Sequence, residues 1–221
     1  MAELGSTAAR HSIGLMGGTF NPIHHGHLRM AQELAAALNL DEIRFITAGN
    51  PPHKAGPQVS AEHRAAMVSL AIDNNPLFTL DARETKRSGA SYTIDTLTSL
   101  RQELGTEVSL VLLMGSDAFT KFDTWHRWQE IIGLCHIALV QRPQQADHIL
   151  PKALETFLHN HYTENADELH EAAAGWVTMQ QITALDISST AIRLALARKE
   201  SARYLMPDQV LDYILRHQLY V

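Results

Sequence analysis

The sequence predicts an α/β protein: a Rossmann-like, doubly wound parallel sheet with helices on both faces and a small C-terminal helical part. Three observations predict it. Short apolar runs alternate with segments of helical periodicity, the pattern of successive βαβ units. One run, residues 108–114, is apolar but for Ser109, the pattern of a strand buried on both faces. The first run ends in Gly17-Gly18 directly ahead of a helical pattern, a strand-to-helix turn at the sheet's carboxyl edge. The 221 residues suit a single domain over 1–221, with 10–185 as the Rossmann-like core and 186–221 as the closing helices.

Taken in order, residues 13–16 read as the first strand. Leu28, Ala31, Leu34, Ala35 and Leu38 then recur at the spacing of one helix face. Residues 43–47 form a second strand, which ends in the turn-forming Asn50-Pro51-Pro52. Ser60 opens a helix running to Ile72, with Glu62 in its first turn. A short strand at 78–80 precedes a helix over 93–104, then the strand at 108–114, a helical stretch around 128–132 and a strand at 137–140. Residues 144–175 are less regular and acidic, read as a solvated, helix-containing excursion. A strand at 177–180 and helices from Ser189 and Pro207 close the chain, with the proline at a first helical position, where its missing N–H is not needed.

Apolar residues make up 45% of the chain, enough for an ordinary core. No apolar run is long enough to span a bilayer, and residues 1–12 lack the regions of a signal peptide. The single cysteine, Cys135, excludes an intramolecular disulfide framework and a cysteine-rich metal site. These features point to the cytoplasm. A formal net charge of −6 gives no bulk attraction for nucleic acid. A polyphosphate would need local cations, which directs attention to Lys54, Arg142 and Arg193.

The segment Gly17-Gly18-Thr19-Phe20-Asn21-Pro22-Ile23-His24-His25-Gly26-His27 is suited to an anion. The glycines allow close approach of a ligand to the backbone, Thr19 offers a hydroxyl, and the following helix presents unpaired N–H groups. His24 and His27, three apart, share a face of a helical turn and can donate hydrogen bonds to phosphate oxygens. Two glycines alone would be only a turn, and one histidine only a surface residue. No Cys or nearby carboxylate completes a metal-ligand set with the histidines. Far away in sequence, Ile187-Ser188-Ser189-Thr190-Ala191-Ile192-Arg193 begins another helix, with Ser188 or Ser189 as N-cap. Hydroxyls, free N–H groups and a guanidinium meet there, a second set of donors for polyphosphate oxygens.

Together the two segments resemble the signatures of the HxGH nucleotidyltransferases, relatives of class I aminoacyl-tRNA synthetases in ATP-binding architecture. The resemblance assigns His24 and His27 to ATP phosphates, as catalytic groups with Arg193. It implies further ATP contacts from Gly17, Gly18, Thr19, Phe20 and Gly26, and from Ser189 and Thr190. Five more segments are similar to the nicotinate-mononucleotide adenylyltransferases within that superfamily. Pro51-Pro52-His53-Lys54 supplies Lys54 for phosphate binding. Ser91-Tyr92-Thr93-Ile94-Asp95-Thr96 offers backbone N–H groups at a helix start that suit a carboxylate. Gly115-Ser116-Asp117 resembles a GAD segment that contacts adenosine, with Asp117 placed for ribose hydroxyls and Ser116 in place of the usual Ala. Phe122-Asp123-Thr124-Trp125 supplies Trp125, implied to stack on the nicotinate ring, and Gln141-Arg142-Pro143 supplies Arg142 near the nucleotide. Asn21, where many relatives have Asp, belongs with the mononucleotide contacts.

The implied reaction is adenylyl transfer from ATP to nicotinate mononucleotide, with Mg²⁺ arriving on the ATP and no nucleic-acid or membrane partner. The alternatives are a nicotinamide-mononucleotide or phosphopantetheine adenylyltransferase, or a non-catalytic nucleotide sensor of the same fold.

Overall fold

The computed structural model describes residues 10–50, 59–141, 150–183 and 185–220. In chain order these residues form β1 (Ser12–Gly18), α1 (His25–Ala37), β2 (Glu42–Thr47), α2 (Ala61–Ile72) and β3 (Phe78–Asp81). Next come α3 (Thr93–Leu104), β4 (Ser109–Gly115), α4 (Ser116–Phe119), α5 (Trp128–Ile131) and β5 (His136–Gln141). The remainder is α6 (Lys152–His161), α7 (Glu168–Glu171), β6 (Val177–Gln181), α8 (Ser189–Ala197) and α9 (Asp208–Arg216). Among the described residues no helix is long and apolar enough to cross a membrane.

The six strands form one sheet in the order β3-β2-β1-β4-β5-β6, and every neighbouring pair is parallel. Period-2 alternation distributes the apolar side chains between its two faces. Ile13, Leu15, Leu110, Leu112, Ile137 and Leu139 join one core with Ile94 and Leu97 of α3 and Phe157 of α6. Met16, Phe45, Val111, Leu113 and Val140 join the other with Leu34 of α1, Val68 of α2, Ile192 of α8 and Val210 of α9. Both faces of the central strands are thus covered, which is why residues 108–114 are apolar but for Ser109, whose buried hydroxyl donates to the Leu169 carbonyl.

The expected elements are present, with small shifts at their ends. β1 extends through Gly18 because its ladder with β2 continues to Gly18↔Thr47, where pairing depends on the backbone and not on an apolar side chain. Ser60 caps α2, its Oγ accepting from the His63 N–H at 3.4 Å. Gly105 closes α3 at φ 70, a left-handed geometry open to a residue without Cβ. The described part of the 144–175 excursion holds α6 and α7. Pro207 differs from its expected place: with ψ 141 it is the N-cap of α9, and Asp208 is the first helical residue.

His136, at the start of β5, is fully buried. Its Nδ1 accepts from the Trp176 N–H at 3.1 Å, so Nε2 carries the proton and donates to the Ala172 carbonyl at 3.0 Å. Burial pushes the imidazole down from 6.5 to about 4. The unfolded chain therefore takes up this proton below its ordinary 6.5, whereas the folded chain resists it down to about 4. The contribution is intact above the unfolded value and is lost as pH falls through the folded one, about 3 kcal/mol in all. Urea midpoints should fall steadily between pH 6.5 and 5. H136Q should show a flatter profile over the same window, and equal slopes would contradict this assignment.

Candidate active site

The register of the central strands creates an opening. β1 and β4 pair only from Ser12↔Ser109 to Leu15↔Leu112, after which the two strands part. A cavity of about 290 Å³ lies in the gap, lined by Met16, Gly17 and Gly18 from β1 and by Leu113, Met114 and Gly115 from β4. It sits at the switch point of the sheet, where the strand order reverses beside β1, the ligand position of open α/β sheets.

On the β1 side the turn is shaped by two glycines and Phe20. A Cβ on Gly17 would meet nothing within 4 Å; the space beside it is cavity. A Cβ on Gly18 would lie 2.8 Å from the Phe20 ring. Phe20 itself takes φ 46, which costs a bulky residue about 1–2 kcal/mol. Burial of its ring, 3% exposed, offsets that by roughly 2–3 kcal/mol. The ring stands edge-on to His27, with centroids 5.2 Å apart. The Asn21–Pro22 peptide is cis.

His24 is the N-cap of α1 and His27 its third residue, so they face the same helix end as their spacing predicts, although His24 stands outside the helix. Their rings stack at 3.8 Å, with buried His24 beneath partly exposed His27. The His24 N–H donates to Nδ1 of His27 at 3.3 Å, which leaves Nε2 of His27 as the protonated, donating nitrogen. Gly26 makes the stack possible: a Cβ there would lie 3.0 Å from Nδ1 of His24.

The second motif docks on the first. Ser188 caps α8, accepting from the Ala191 N–H at 3.4 Å. Ser189 Oγ donates to the Pro22 carbonyl at 2.9 Å, and Arg193 donates to the Asn21 carbonyl at 2.8 Å and to Thr190 Oγ1 at 3.2 Å. Two of the five guanidinium N–H groups are thereby engaged, and the partly exposed fork keeps the others. The Asn21 side chain is held by Tyr220, whose hydroxyl donates to Oδ1 at 2.6 Å. Burial pushes the Tyr220 phenol up, keeping it a neutral donor.

Charge placement separates these two helices from the rest. Among the described α-helices, only α1 and α8 have no acidic residue in the first turn. An anion at either N-terminus therefore meets the helix field without a carboxylate in that helix's own first turn.

The far wall contains Ser91, Thr93, Thr96 and Trp125. Trp125 is half-buried, its ring packed against Phe122 at 5.5 Å. Thr93 is the first residue of α3, and Tyr92 caps that helix with its ring 4.6 Å from His126. Ser91 has a further duty: its Oγ accepts from the N–H groups of Gly49 and Asn50 at 3.1 and 3.2 Å. Asp117 is exposed beside Gly115, where a Cβ would lie 2.5 Å from its Oδ1. Lys54 and Arg142 lie outside the described residues.

Three residues near this site carry no motif. Arg64 of α2 and Tyr220 are two. The third is Glu84, which lines the cavity and bonds to the Thr96 hydroxyl at 2.6 Å. Burial raises its carboxyl above the ordinary range, against the lowering effect of bonds from Thr96 and Ser91. Among the described residues no group of three or more His, Cys, Asp or Glu side chains could hold a metal ion.

Comparison with known proteins places this geometry. A family model described as cytidylyltransferase-like matches residues 15–195, a span that contains both motifs. A protein of Acidithiobacillus ferrooxidans named "Probable nicotinate-nucleotide adenylyltransferase" is 45% identical, over 97% of this chain and 98% of its own. One of the same name from Dechloromonas aromatica is 48% identical, over 94% and 97%. A Plasmodium falciparum nicotinic acid mononucleotide adenylyltransferase complexed with NaAD has a TM-score of 0.72 at 17% identity, covering 95% of this chain and 97% of that one, a likeness of fold. With the match spanning nearly the whole chain, the chain belongs to the cytidylyltransferase-like family and, within it, to the nicotinate-nucleotide adenylyltransferases.

Proposed function

We propose that the chain transfers the adenylyl group of ATP to nicotinate mononucleotide, giving deamido-NAD and pyrophosphate. The observation that carries this is the pairing of two acid-free helix N-termini, α1 and α8, joined through Asn21 and Pro22 beside a cavity whose opposite wall is Thr93 and Trp125. One side suits a triphosphate and the other a planar ring bearing a carboxylate.

A phosphate oxygen of the mononucleotide attacks the α-phosphorus of ATP. The bond from that phosphorus to the bridging oxygen breaks, and its electron pair leaves with pyrophosphate. The second ionisation of a phosphate monoester lies near pH 6, so at neutral pH the nucleophile needs no general base. The protein supplies alignment and charge stabilisation. His27 donates from Nε2, and with His24, Thr19 and Arg193 it offsets charge on the leaving group. Gly17, Gly18, Phe20, Gly26, Ser189 and Thr190 shape the triphosphate site. Gly115 and Asp117 hold the adenosine. Asn21, Lys54, Ser91, Tyr92, Thr93, Trp125 and Arg142 serve the mononucleotide, with Ser91 and Asn21 acting through the backbone they brace. Mg²⁺ enters as part of the ATP substrate, held by phosphate oxygens and water.

Pyrophosphate release should depend on both ATP and nicotinate mononucleotide, and should be faster with the acid than with nicotinamide mononucleotide. Donors aimed at a carboxylate are poorly matched by an amide. No release with either mononucleotide would sink the proposal, and a preference for the amide would overturn its choice of substrate. H24A and H27A should each lower turnover by about 100-fold or more while remaining folded, the loss expected for a strong transition-state donor. G26A should lower it by roughly 10-fold without loss of fold, because the new methyl displaces the His24 ring. Wild-type turnover in these variants would remove the histidines from the mechanism.

A further inference from the structure

Arg64 lies on the apolar stripe of α2 with Met67, Val68 and Ile72, and it is fully buried. No carboxylate pairs with it among the described residues. Its guanidinium donates instead to four backbone carbonyls: Ala48 at 2.6 Å, Thr19 at 2.8 Å, Gly49 at 3.0 Å and Val59 at 3.3 Å. An unpaired buried cation is a costly way to fill a core position that methionine would fill without desolvating a charge. What the guanidinium does and methionine would not is join three separate pieces of backbone.

Two of those pieces are parts of the site. Thr19 belongs to the turn between Gly18 and Phe20, both of which line the cavity on its triphosphate side. Ala48 and Gly49 follow β2. The same turn is held from its other side by Ser91, whose Oγ accepts from the Gly49 and Asn50 N–H groups and whose own N–H donates to the Asn50 carbonyl at 2.9 Å. Gly49 fits because a Cβ there would run into the Glu84 carbonyl. A chain of hydrogen bonds therefore runs from Thr19 through Arg64 and Gly49 to Ser91 at the head of α3, next to Tyr92 and Thr93. Arg64 does not line the cavity.

We propose that Arg64 is a positioning residue that fixes the ATP half of the crevice relative to the mononucleotide half while touching neither substrate. The inference rests on the adenylyl-transfer assignment above. In-line attack is sensitive to separation, with a displacement of about 1 Å able to lower the rate by about 100-fold. Loss of the brace leaves each half-site intact and misplaces one against the other.

The test is the steady-state kinetics of pyrophosphate release by wild type, R64K and R64M, with ATP and nicotinate mononucleotide each varied. Assays are run at a temperature where circular dichroism shows each variant folded. R64M should lose about 10-fold or more in kcat while both KM values stay within about threefold. R64K, which keeps a donor for some of the carbonyls, should fall between R64M and wild type. Folded variants with wild-type kcat overturn the inference, as does a rise in both KM values with kcat unchanged. If neither variant folds, Arg64 serves the whole fold and the inference fails. A wild-type protein without turnover overturns the assigned reaction and the inference with it, whereas active wild type with unaffected variants overturns the inference alone.

Discussion

The parting of β1 from β4 after Leu15 and Leu112 is the constraint on which the site depends. β1 stays paired to β2 as far as Gly18, so its end remains fixed while the opposite edge is released. The helices that follow the two strands leave to opposite faces: Leu34 of α1 packs in one core and Phe119 of α4 in the other. Among the described residues the strand ends between them line the cavity, which is the space that results. The glycines follow from this. Gly17 and Gly115 stand where the strands separate, and side chains there would occupy the cavity or displace Asp117.

Electrostatics completes what topology begins. The chain is acidic overall, with a formal net charge of −6, so long-range attraction does not recruit a polyphosphate. The acids sit elsewhere: every described α-helix except α1 and α8 has one in its first turn. Those two helix ends are brought side by side by side-chain bonds to backbone carbonyls, from Ser189 to Pro22 and from Arg193 to Asn21. Among the described residues, local positive potential at these two ends comes from the helix dipoles and the Arg193 guanidinium, and is present before any ligand arrives.

Much of this was legible in the sequence because it is periodic or contiguous. The run at 108–114, apolar but for Ser109, marks a central strand, and the first motif is one unbroken string at a strand-to-helix turn. What was missed depends on contacts between residues distant in sequence. The charge of Arg64 on an apolar stripe was a visible anomaly, but its acceptors are carbonyls as far away as Thr19, which leave no trace in side-chain pattern. Tyr220 meets Asn21 across 199 residues. Glu84 stands among Asp81, Arg83, Lys86 and Arg87, so a solvated loop is the natural expectation, and only the fold shows it buried. Ser91 was legible as part of a motif, but its bonds to Gly49 and Asn50 were not, because the partners are 42 and 41 residues away.

The spacing of the histidines also has a local cause. An N-cap and the third residue of a helix are the two positions whose side chains both reach the end bearing unpaired N–H groups. His27 can accept from the His24 N–H only through an unprotonated Nδ1, and that bond aims its other nitrogen as a donor. The stack that aligns the two rings needs bare backbone between them, which is why Gly26 intervenes. Lysines at the same two positions would bring charge, but on flexible stems with no ring to stack. Imidazoles bring less charge in a geometry already set. For the proposed reaction, whose nucleophile needs no base, fixed donors at the leaving group would be the more useful contribution.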